Sequence, residues 1–239
     1  MNSEQAVTVS RQGPVATIRL NRPQARNAIN RALRVELTAA LLELASDDDV
    51  RVVVLRGDAR AFSAGGDLKE AAHADSAVSL AMGKRVVTAL VDFPKVVVAV
   101  IRGHCAGAGI SIALACDLVV ADETALFTPA FLAAGLVPDM GATHWLVRQI
   151  GVLRAKDLLL TGRQLTAAEA HELGLVSRLW PQDQLEEQLS TLLEQLAALP
   201  IEAAGWTRRL LNHSFQCDFS ASYEAEVAAA LAVMARSTH

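Results

Sequence analysis

The chain has 239 residues, of which 52% are hydrophobic and 20% are charged, a composition that describes a globular protein and excludes a disordered one. This length can bury a substantial core, as one large domain or as one domain with a helical appendage. The net charge of −4 excludes the strongly basic surface usual in nucleic-acid-binding proteins, so no nucleic-acid partner is expected.

Short β-branched runs alternate with helical patterns along the first half of the chain. The runs predicted as strands are 15–20, 50–57, 95–103 and 117–122. Their near-continuous Val and Ile content is typical of parallel strands that are covered on both faces. Because helical patterns separate them, the sequence predicts an α/β fold with a parallel sheet.

Two helices between these strands have recognisable starts. Asn30 is placed to cap the first, whose leucines at 33, 37, 41 and 44 share one face. Ser76 is placed to cap the second, predicted over Val78–Asp92 and ended before Pro94.

The character of the chain changes after Trp180. Residues 182–236 show leucines at helical spacing and no strand signal. A stripe of leucines at 185, 189, 192, 196 and 199 predicts a helix that packs on its own domain, with a subunit interface as the alternative. We therefore predict a core over residues 1–180 and a helical, oligomerising region over residues 181–239.

Nothing in the sequence indicates a secreted, membrane or metal-binding protein. The first residues lack a basic segment followed by an apolar run, and the apolar span 105–116 is too short to cross a bilayer. Three cysteines without paired spacing suggest reduced, buried thiols, and the six histidines lack ligand spacing. We expect a cytoplasmic protein with no membrane partner and no metal.

Two glycine-rich turns follow predicted strands, at 61–70 and 102–117. The second runs into a predicted helix, Ala108–Ala115, whose first amides lack intrahelical partners. Two amides from such turns, meeting at one oxygen, would form an oxyanion hole. Tight packing turns are the alternative, whereas a dinucleotide site is disfavoured because 107–112 lacks the third glycine of that fingerprint.

One carboxylate stands alone among glycines, a proline and apolar side chains. Asp139 lies in "GLVPDMGATHW" (135–145). An aspartate there either caps the following helix, predicted from Met140 onward, or serves chemistry. The residues alone leave both interpretations open.

Several stretches together resemble one known family. They are "IRLNRPQARNAIN" (18–30), "AFSAGGDLKE" (61–70), "GHCAGAGISIALACDLVVADETALF" (103–127), "AGLVPDMGATHWLVRQIG" (134–151) and "LLLTGRQLTAAEAHELGLVSRLWP" (158–181). In order and spacing they are similar to the crotonase (enoyl-CoA hydratase/isomerase) superfamily, from about residue 7 to about residue 235. The resemblance implies a spiral of ββα units with a C-terminal helical region, assembled as a homotrimer or homohexamer. It also implies an acyl-CoA substrate, with CoA as part of the substrate and no separate cofactor.

The resemblance also implies roles for individual residues. The amides of Gly66 and Ala108 would hold the thioester oxygen, although the family usually has glycine at the second position. Ala64, Asp67 and Leu68 would flank the CoA moiety, and Asp67 is also expected to brace its own turn. Arg26 is predicted to contact the phosphate-bearing part of CoA, with a solvated surface charge as the alternative.

Two positions depart from the family's water-adding members. The two glutamates of those members fall at Ser111 and Phe131, and neither can act as a carboxylate. Ser111 could orient a water in the site, or could be a small helix residue bonded to the preceding turn. Phe131 is interpreted as an apolar wall of the acyl pocket. Ordinary hydration is therefore disfavoured.

Asp139 is left as the candidate acid/base. Its position matches the catalytic aspartate of family branches that include a ring-epoxide isomerase, dienoyl-CoA isomerases and 4-chlorobenzoyl-CoA dehalogenase. Aryl dehalogenation is disfavoured because the segment 81–93 lacks the base histidine and Phe131 replaces a tryptophan. We therefore predict an enoyl-CoA isomerase. The alternatives are a hydratase that activates water with Asp139 or Glu70, and a silent acyl-CoA-binding homologue in which Asp139 caps a helix.

Overall fold

The computed structural model describes residues 5–237 of the chain, and within them the backbone forms ten strands and ten α-helices. The strands are β1 (Val7–Gln12), β2 (Val15–Leu20), β3 (Val52–Arg56), β4 (Ala61–Ser63), β5 (Val96–Ile101), β6 (His104–Ala106), β7 (Leu118–Asp122), β8 (Leu126–Thr128), β9 (Leu165–Thr166) and β10 (Arg178–Trp180). The helices are α1 (Arg31–Ala45), α2 (Leu68–Ala71), α3 (Ser76–Val91), α4 (Ala108–Leu114), α5 (Ala142–Ile150), α6 (Val152–Thr161), α7 (Ala167–Glu172), α8 (Leu185–Ala197), α9 (Ile201–His213) and α10 (Phe219–Ser237).

The strands form two sheets that the chain visits alternately. The larger has the order β1-β2-β3-β5-β7-β10 and is parallel except for the β1–β2 pair, and the smaller has the order β4-β6-β8-β9. Each of β3, β5 and β7 is followed by a short strand of the smaller sheet and then by a helix. This is the spiral of ββα units that the resemblance implies, so the predicted α/β class is confirmed.

Both faces of the larger sheet are covered, which explains its nearly continuous valine runs. Val52 and Val54 pack against the leucines of α8, while Val53 and Leu55 belong to the main core on the other face. The buried leucines of α8 are Leu185, Leu189 and Leu192. The stripe therefore packs on its own domain as far as Leu196, whereas Leu199 lies beyond α8 and is exposed.

The caps explain where the first long helices begin. The Asn30 side chain accepts a hydrogen bond of 2.9 Å from the Leu33 amide, as predicted. The prediction that Ser76 caps α3 is wrong, because Ser76 is already helical. Asp75 caps the helix instead, accepting hydrogen bonds from the amides of Ala77 and Val78. Aspartate and serine are equally good capping residues, so the residue types do not determine which of these two neighbours becomes the cap. The backbone conformation determines it.

The C-terminal helices are tied to the core by Arg208 of α9. Its Nε donates to Asp117 at 2.7 Å and its Nη2 to the Leu90 carbonyl at 3.0 Å, and its Nη1 also donates to the Phe93 carbonyl. The arginine side chain is buried. The domain boundary after residue 180 and an oligomerising role for residues 181–239 stay predictions.

Two further expectations concern the surface. No helix of the described chain is long and apolar enough to cross a membrane. The expectation of buried cysteines holds for Cys105, whereas Cys116 is half-buried and Cys217 is exposed in the bend before α10. A single cysteine that follows a helix has no sequence pattern around it that indicates whether its side chain is buried or exposed.

Candidate active site

Two glycine-rich loops meet where β4 and β6 end. A Cβ atom placed on Gly65 would lie 2.8 Å from the Ala106 carbonyl oxygen and 3.5 Å from the Ala108 nitrogen. Gly65 also has a φ of +89°, which side-chain-bearing residues rarely adopt. Only glycine allows this backbone-to-backbone contact, so the segments 64–66 and 106–108 form one continuous wall.

The Gly66 amide is left free by the way its loop is held. The Gly65 carbonyl accepts from the Ile29 amide at 2.7 Å, and the Asp67 amide donates to the Ile29 carbonyl at 3.2 Å. In a trans peptide the carbonyl and the following N–H point in opposite directions. The Gly66 N–H therefore points away from Ile29, and no acceptor within residues 5–237 bonds to it.

The Ala108 amide is free for a different reason. Ala108 is the first residue of α4, and the preceding Gly107 carbonyl accepts from the Ile110 amide at 2.9 Å. The Ala108 N–H therefore points out of the helix start, with the positive end of the helix behind it. The structure thus brings the two predicted donors onto adjoining loops. Their role as an oxyanion hole stays a prediction.

Asp139 lies in the loop that precedes α5, against α4. Its carbonyl oxygen accepts from the Ser111 hydroxyl at 2.9 Å and from the Ala142 amide at 3.0 Å. Ser111 follows Ala108 by three residues on α4, so the two lie on one face of that helix. The aspartate is therefore placed about one helical turn from the free amide of Ala108.

The side chain of Asp139 caps no helix. The predicted helix from Met140 onward begins later, at Ala142, and its N-cap is Gly141, which has a φ of +86° and makes no side-chain capping bond. Met140 itself has a φ of +50°, which takes the chain out of helical geometry. The capping interpretation of Asp139 is therefore wrong.

The surroundings of Asp139 favour a protonatable carboxyl group. Burial raises its pKa above the ordinary value, and the Arg34 guanidinium and the residue's own backbone amide lower it only in part. The carboxylate makes no ion pair within the described chain. A half-buried carboxyl group whose pKa is raised in this way is suited to exchanging a proton with a substrate.

The two positions without glutamate are both buried beside the glycine loops. Phe131 is 5% exposed, and its Cε1 lies 4.0 Å from a Cβ placed on Gly107, as suits an apolar wall. Ser111 is fully buried. Its predicted bond to the preceding turn is wrong, because its hydroxyl holds the Asp139 loop instead.

The predicted CoA-flanking residues lie on the rim of the same wall. Ala64, Leu68 and Arg26 are exposed, and the Arg26 carbonyl accepts from the Ala64 amide at 2.9 Å. The Asp67 carboxylate caps α2 and pairs with Arg22 at 2.9 Å. Burial raises the pKa of Asp67, but the Arg22 hydrogen bond and charge outweigh it, so the net pKa is lowered. The prediction that Asp67 braces its own turn is confirmed.

Arg34 is the site residue that sequence reasoning missed. Its Nη1 donates to the Ser79 hydroxyl at 2.8 Å and lies 3.9 Å from Glu70 Oε1. The only available signal was its spacing, three residues before Leu37 and seven before Leu41, which puts it at the edge of the apolar face of α1.

Several cavities of about 350 to 580 Å³ open on the described part of the chain. One of about 410 Å³ is lined by residues of α1, α2 and α3, including Arg34, Glu70 and Ser79. Another of about 580 Å³ lies between α5 and α9. The cavity of about 580 Å³ touches none of the predicted site residues. We therefore locate the candidate site by the two free amides of the glycine loops and not by cavity volume. No group of three or more His, Cys, Asp or Glu residues in the described chain is arranged to hold a metal ion.

Comparisons with known proteins agree with this geometry. A family model described as enoyl-CoA hydratase/isomerase matches residues 10–237. A probable enoyl-CoA hydratase of Rhizobium meliloti is 38% identical over 219 residues, covering 90% of this chain and 84% of the relative.

Solved structures show the same fold. The crystal structure of an enoyl-CoA hydratase from Bacillus anthracis matches with a TM-score of 0.92 and 32% identity, over 96% of this chain and 91% of that one. A putative enoyl-CoA hydratase from Thermobifida fusca, in complex with acetoacetyl-CoA, matches with a TM-score of 0.89 and 33% identity, over 97% and 96%. With the free amides, the ββα spiral and these matches together, the chain belongs to the enoyl-CoA hydratase/isomerase family of the crotonase superfamily.

Proposed function

We propose that this protein is an enoyl-CoA isomerase that moves a double bond in an acyl-CoA thioester, with Asp139 as the acid/base. The observation that carries the proposal is the carboxyl group of Asp139. It is half-buried and caps no helix, and the backbone of the same residue is held against α4 by Ser111, one turn after Ala108.

The substrate class follows from the free amides and from a relative. Thioester oxygens become strongly negative when a neighbouring proton is removed, and two fixed N–H donors stabilise that charge. Gly66 and Ala108 supply such donors here. The Thermobifida fusca relative has acetoacetyl-CoA bound. We assign the CoA moiety to the rim formed by Ala64, Leu68 and Arg26, with CoA as part of the substrate and not as a separate cofactor.

The reaction needs one proton carrier and no water. The Asp139 carboxylate removes a proton from C2 of a 3-enoyl thioester, and the C2–H electron pair becomes part of a dienolate whose oxygen is held by the two amides. Asp139 then returns the proton to C4. The C2–H bond breaks, the C4–H bond forms and the double bond moves from C3–C4 to C2–C3, with no net oxidation. A positioned carboxyl group is worth about 10²–10⁴-fold in such a transfer.

Hydration is the second candidate, since the Rhizobium meliloti relative is named a probable enoyl-CoA hydratase. Water addition benefits from a second carboxyl group, and Ser111 and Phe131 supply none. Glu70 is the remaining choice, but its Oε1 already accepts from the Arg31 amide at 2.7 Å. One carboxyl group suffices for isomerisation, which favours that reaction.

The proposal is tested with 3-enoyl-CoA and 2-enoyl-CoA in deuterated water, using the wild-type protein, Asp139→Asn and Glu123→Gln. Glu123 is an exposed acid that is not among the predicted site residues, and it controls for the loss of a carboxylate. We expect double-bond migration with deuterium incorporation that is lost in Asp139→Asn and kept in Glu123→Gln. Hydration of 2-enoyl-CoA that Asp139→Asn leaves intact would refute the isomerase assignment, and tight binding without turnover would indicate a silent homologue.

Assembly as a homotrimer or homohexamer is proposed for the same chain. Helix α10 carries large apolar side chains four residues apart, and all are exposed: Phe219, Tyr223, Val227 and Leu231. An unpartnered apolar stripe of this kind is typical of a subunit interface. Light scattering should give a mass of three or six chains, and Leu231→Glu should lower it, whereas a monomeric wild-type protein would contradict the proposal.

A further inference from the structure

A mostly buried cation and the loop of the proposed acid/base contact the same helix, α3. Arg34 projects from α1 with a side chain that is only 13% exposed. Its Nη1 is fixed by the Ser79 hydroxyl of α3 at 2.8 Å, and Glu70 Oε1 lies 3.9 Å away. Since Glu70 is itself held by the Arg31 amide at 2.7 Å, the guanidinium is anchored on two sides.

The same helix face brings this cation and the Asp139 loop together. Ser79 and Gly83 are four residues apart on α3, so they lie about 6 Å apart along one face. A Cβ placed on Gly83 would lie 3.1 Å from Met140 Cγ. The residue that follows Asp139 thus packs on α3 one turn beyond the anchor of Arg34.

We propose that Arg34 is a positioning residue for the acid/base. Its anchored guanidinium faces Asp139 and stabilises the carboxylate of that residue, so that the carboxylate can act as the base. This inference rests on the proposed function, because it has meaning only if Asp139 exchanges the proton. Arg34 touches no substrate in this proposal and acts through Asp139.

The charge arrangement explains why a cation is needed there. Burial raises the pKa of Asp139, and Arg34 is the first influence that opposes it. Among other groups on the packed elements, Glu70 from α2 is the acid beside Arg34. On α5, burial and the charge of Arg148 lower the pKa of His144. Lys84 and Arg85 on α3 are exposed, where solvent screens them.

The consequence is a defined change in the pH profile. Only the ionised Asp139 can take the proton, so activity falls as the pH drops through its pKa. Without the Arg34 charge the ionised form is less stable, and the acidic limb of kcat moves to higher pH. An opposite charge close to a carboxyl group commonly lowers the pKa of that group, and removing the charge raises the pKa again. At a pH well below the midpoint of the acidic limb, this rise should lower activity about tenfold.

The test measures pH profiles of kcat and KM for 3-enoyl-CoA isomerisation with Arg34→Met, Arg34→Lys and Arg31→Met. Arg34→Met should move the acidic limb to higher pH and cost about tenfold in kcat below its midpoint, with KM little changed. Arg34→Lys should restore most of the profile because it returns the charge. Arg31→Met, which removes an exposed charge from the same helix, should leave the limb in place.

Two further variants keep the outcomes separate. If Arg34→Met does not fold, Ser79→Ala releases the guanidinium while keeping its charge and should move the limb in the same direction by less. An acidic limb that stays in place in folded Arg34→Met or in Ser79→Ala overturns the inference. If Asp139→Asn keeps full isomerase activity, the proposed function itself fails; if Asp139→Asn is inactive and the limb does not move, only the role of Arg34 is lost.

Discussion

The Ser111 hydroxyl donates a hydrogen bond of 2.9 Å to the backbone carbonyl of Asp139. Helix α4 therefore supplies both the free amide of Ala108 and, one turn later, the contact that holds the Asp139 loop. The resemblance places a glutamate of the family's water-adding members at this position, and the serine found here instead holds the loop of the proposed acid/base.

Removing the Ser111 hydroxyl should loosen the loop that carries Asp139 while leaving the Asp139 carboxyl group present. Ser111→Ala deletes a buried hydrogen bond, while the Asp139 carbonyl keeps its bond from the Ala142 amide. We expect a loss of about 1 kcal/mol in the free energy of unfolding and a several-fold lower kcat with little change in KM. Urea unfolding and steady-state kinetics measure both. Thr207→Ala removes an exposed hydroxyl-to-carbonyl bond on α9 and should change neither.

Removing one free amide should abolish most of the activity while sparing the helix. Ala108 is the first residue of α4, where proline is tolerated because that N–H has no helical partner. Ala108→Pro should lower kcat about 10²–10³-fold, the usual effect of losing one oxyanion-hole donor. Ala108→Gly keeps the amide and should retain most activity. Equal kinetics for the two variants would show that this amide is not a donor to the substrate.

Adjacent glycines in the first loop should respond differently to the same substitution. Gly65→Ala would place a methyl group 2.8 Å from the Ala106 carbonyl at a positive φ, whereas Gly66→Ala meets open space. We expect Gly65→Ala to cost about 1–3 kcal/mol of stability and Gly66→Ala to cost little. Thermal unfolding of the two variants separates them, and a similar loss in both would contradict the close contact between the loops.

The sequence was informative where local patterns were long. The valine runs and the leucine stripe of α8 each depend on several residues with one periodicity, and they were predicted correctly except for Leu199, which lies beyond α8. The Asn30 cap was also predicted correctly, from a capping residue next to a periodic run of leucines. The strands of the smaller sheet have two or three residues, too few for any period to appear.

The site was predictable only in part for a related reason. Gly66, Ala108 and Asp139 came from motif resemblance, and the structure places them on neighbouring loops. Arg34 could not be found because its proposed role depends on contacts with Ser79 and Glu70, which lie 45 and 36 residues further along the chain. Similarly, the choice between Asp75 and Ser76 as a cap depends on one backbone dihedral that the residue types do not determine.

The raised pKa of Asp139 predicts a pH-dependent cost in stability. Because the pKa of the folded state lies above its ordinary value, the native state holds more protons than the unfolded chain between the two values. The free energy of unfolding contributed by this group therefore falls as the pH rises through that window and stays low above it. At lower pH, where the carboxyl group is protonated in both states, the cost disappears.

Asp139→Asn should reveal this dependence directly. The variant cannot ionise, so its stability relative to wild type should increase as the pH rises from the ordinary carboxyl pKa through the raised pKa of folded Asp139, and should then level off, even as its isomerase activity is lost. Urea unfolding at a series of pH values measures the difference, with the exposed Glu123→Gln as the control for a lost carboxylate. A difference that shrinks as the pH rises would mean that ionised Asp139 is stabilised by the fold, as an ion-pair partner would be, and would contradict its assignment as a desolvated base.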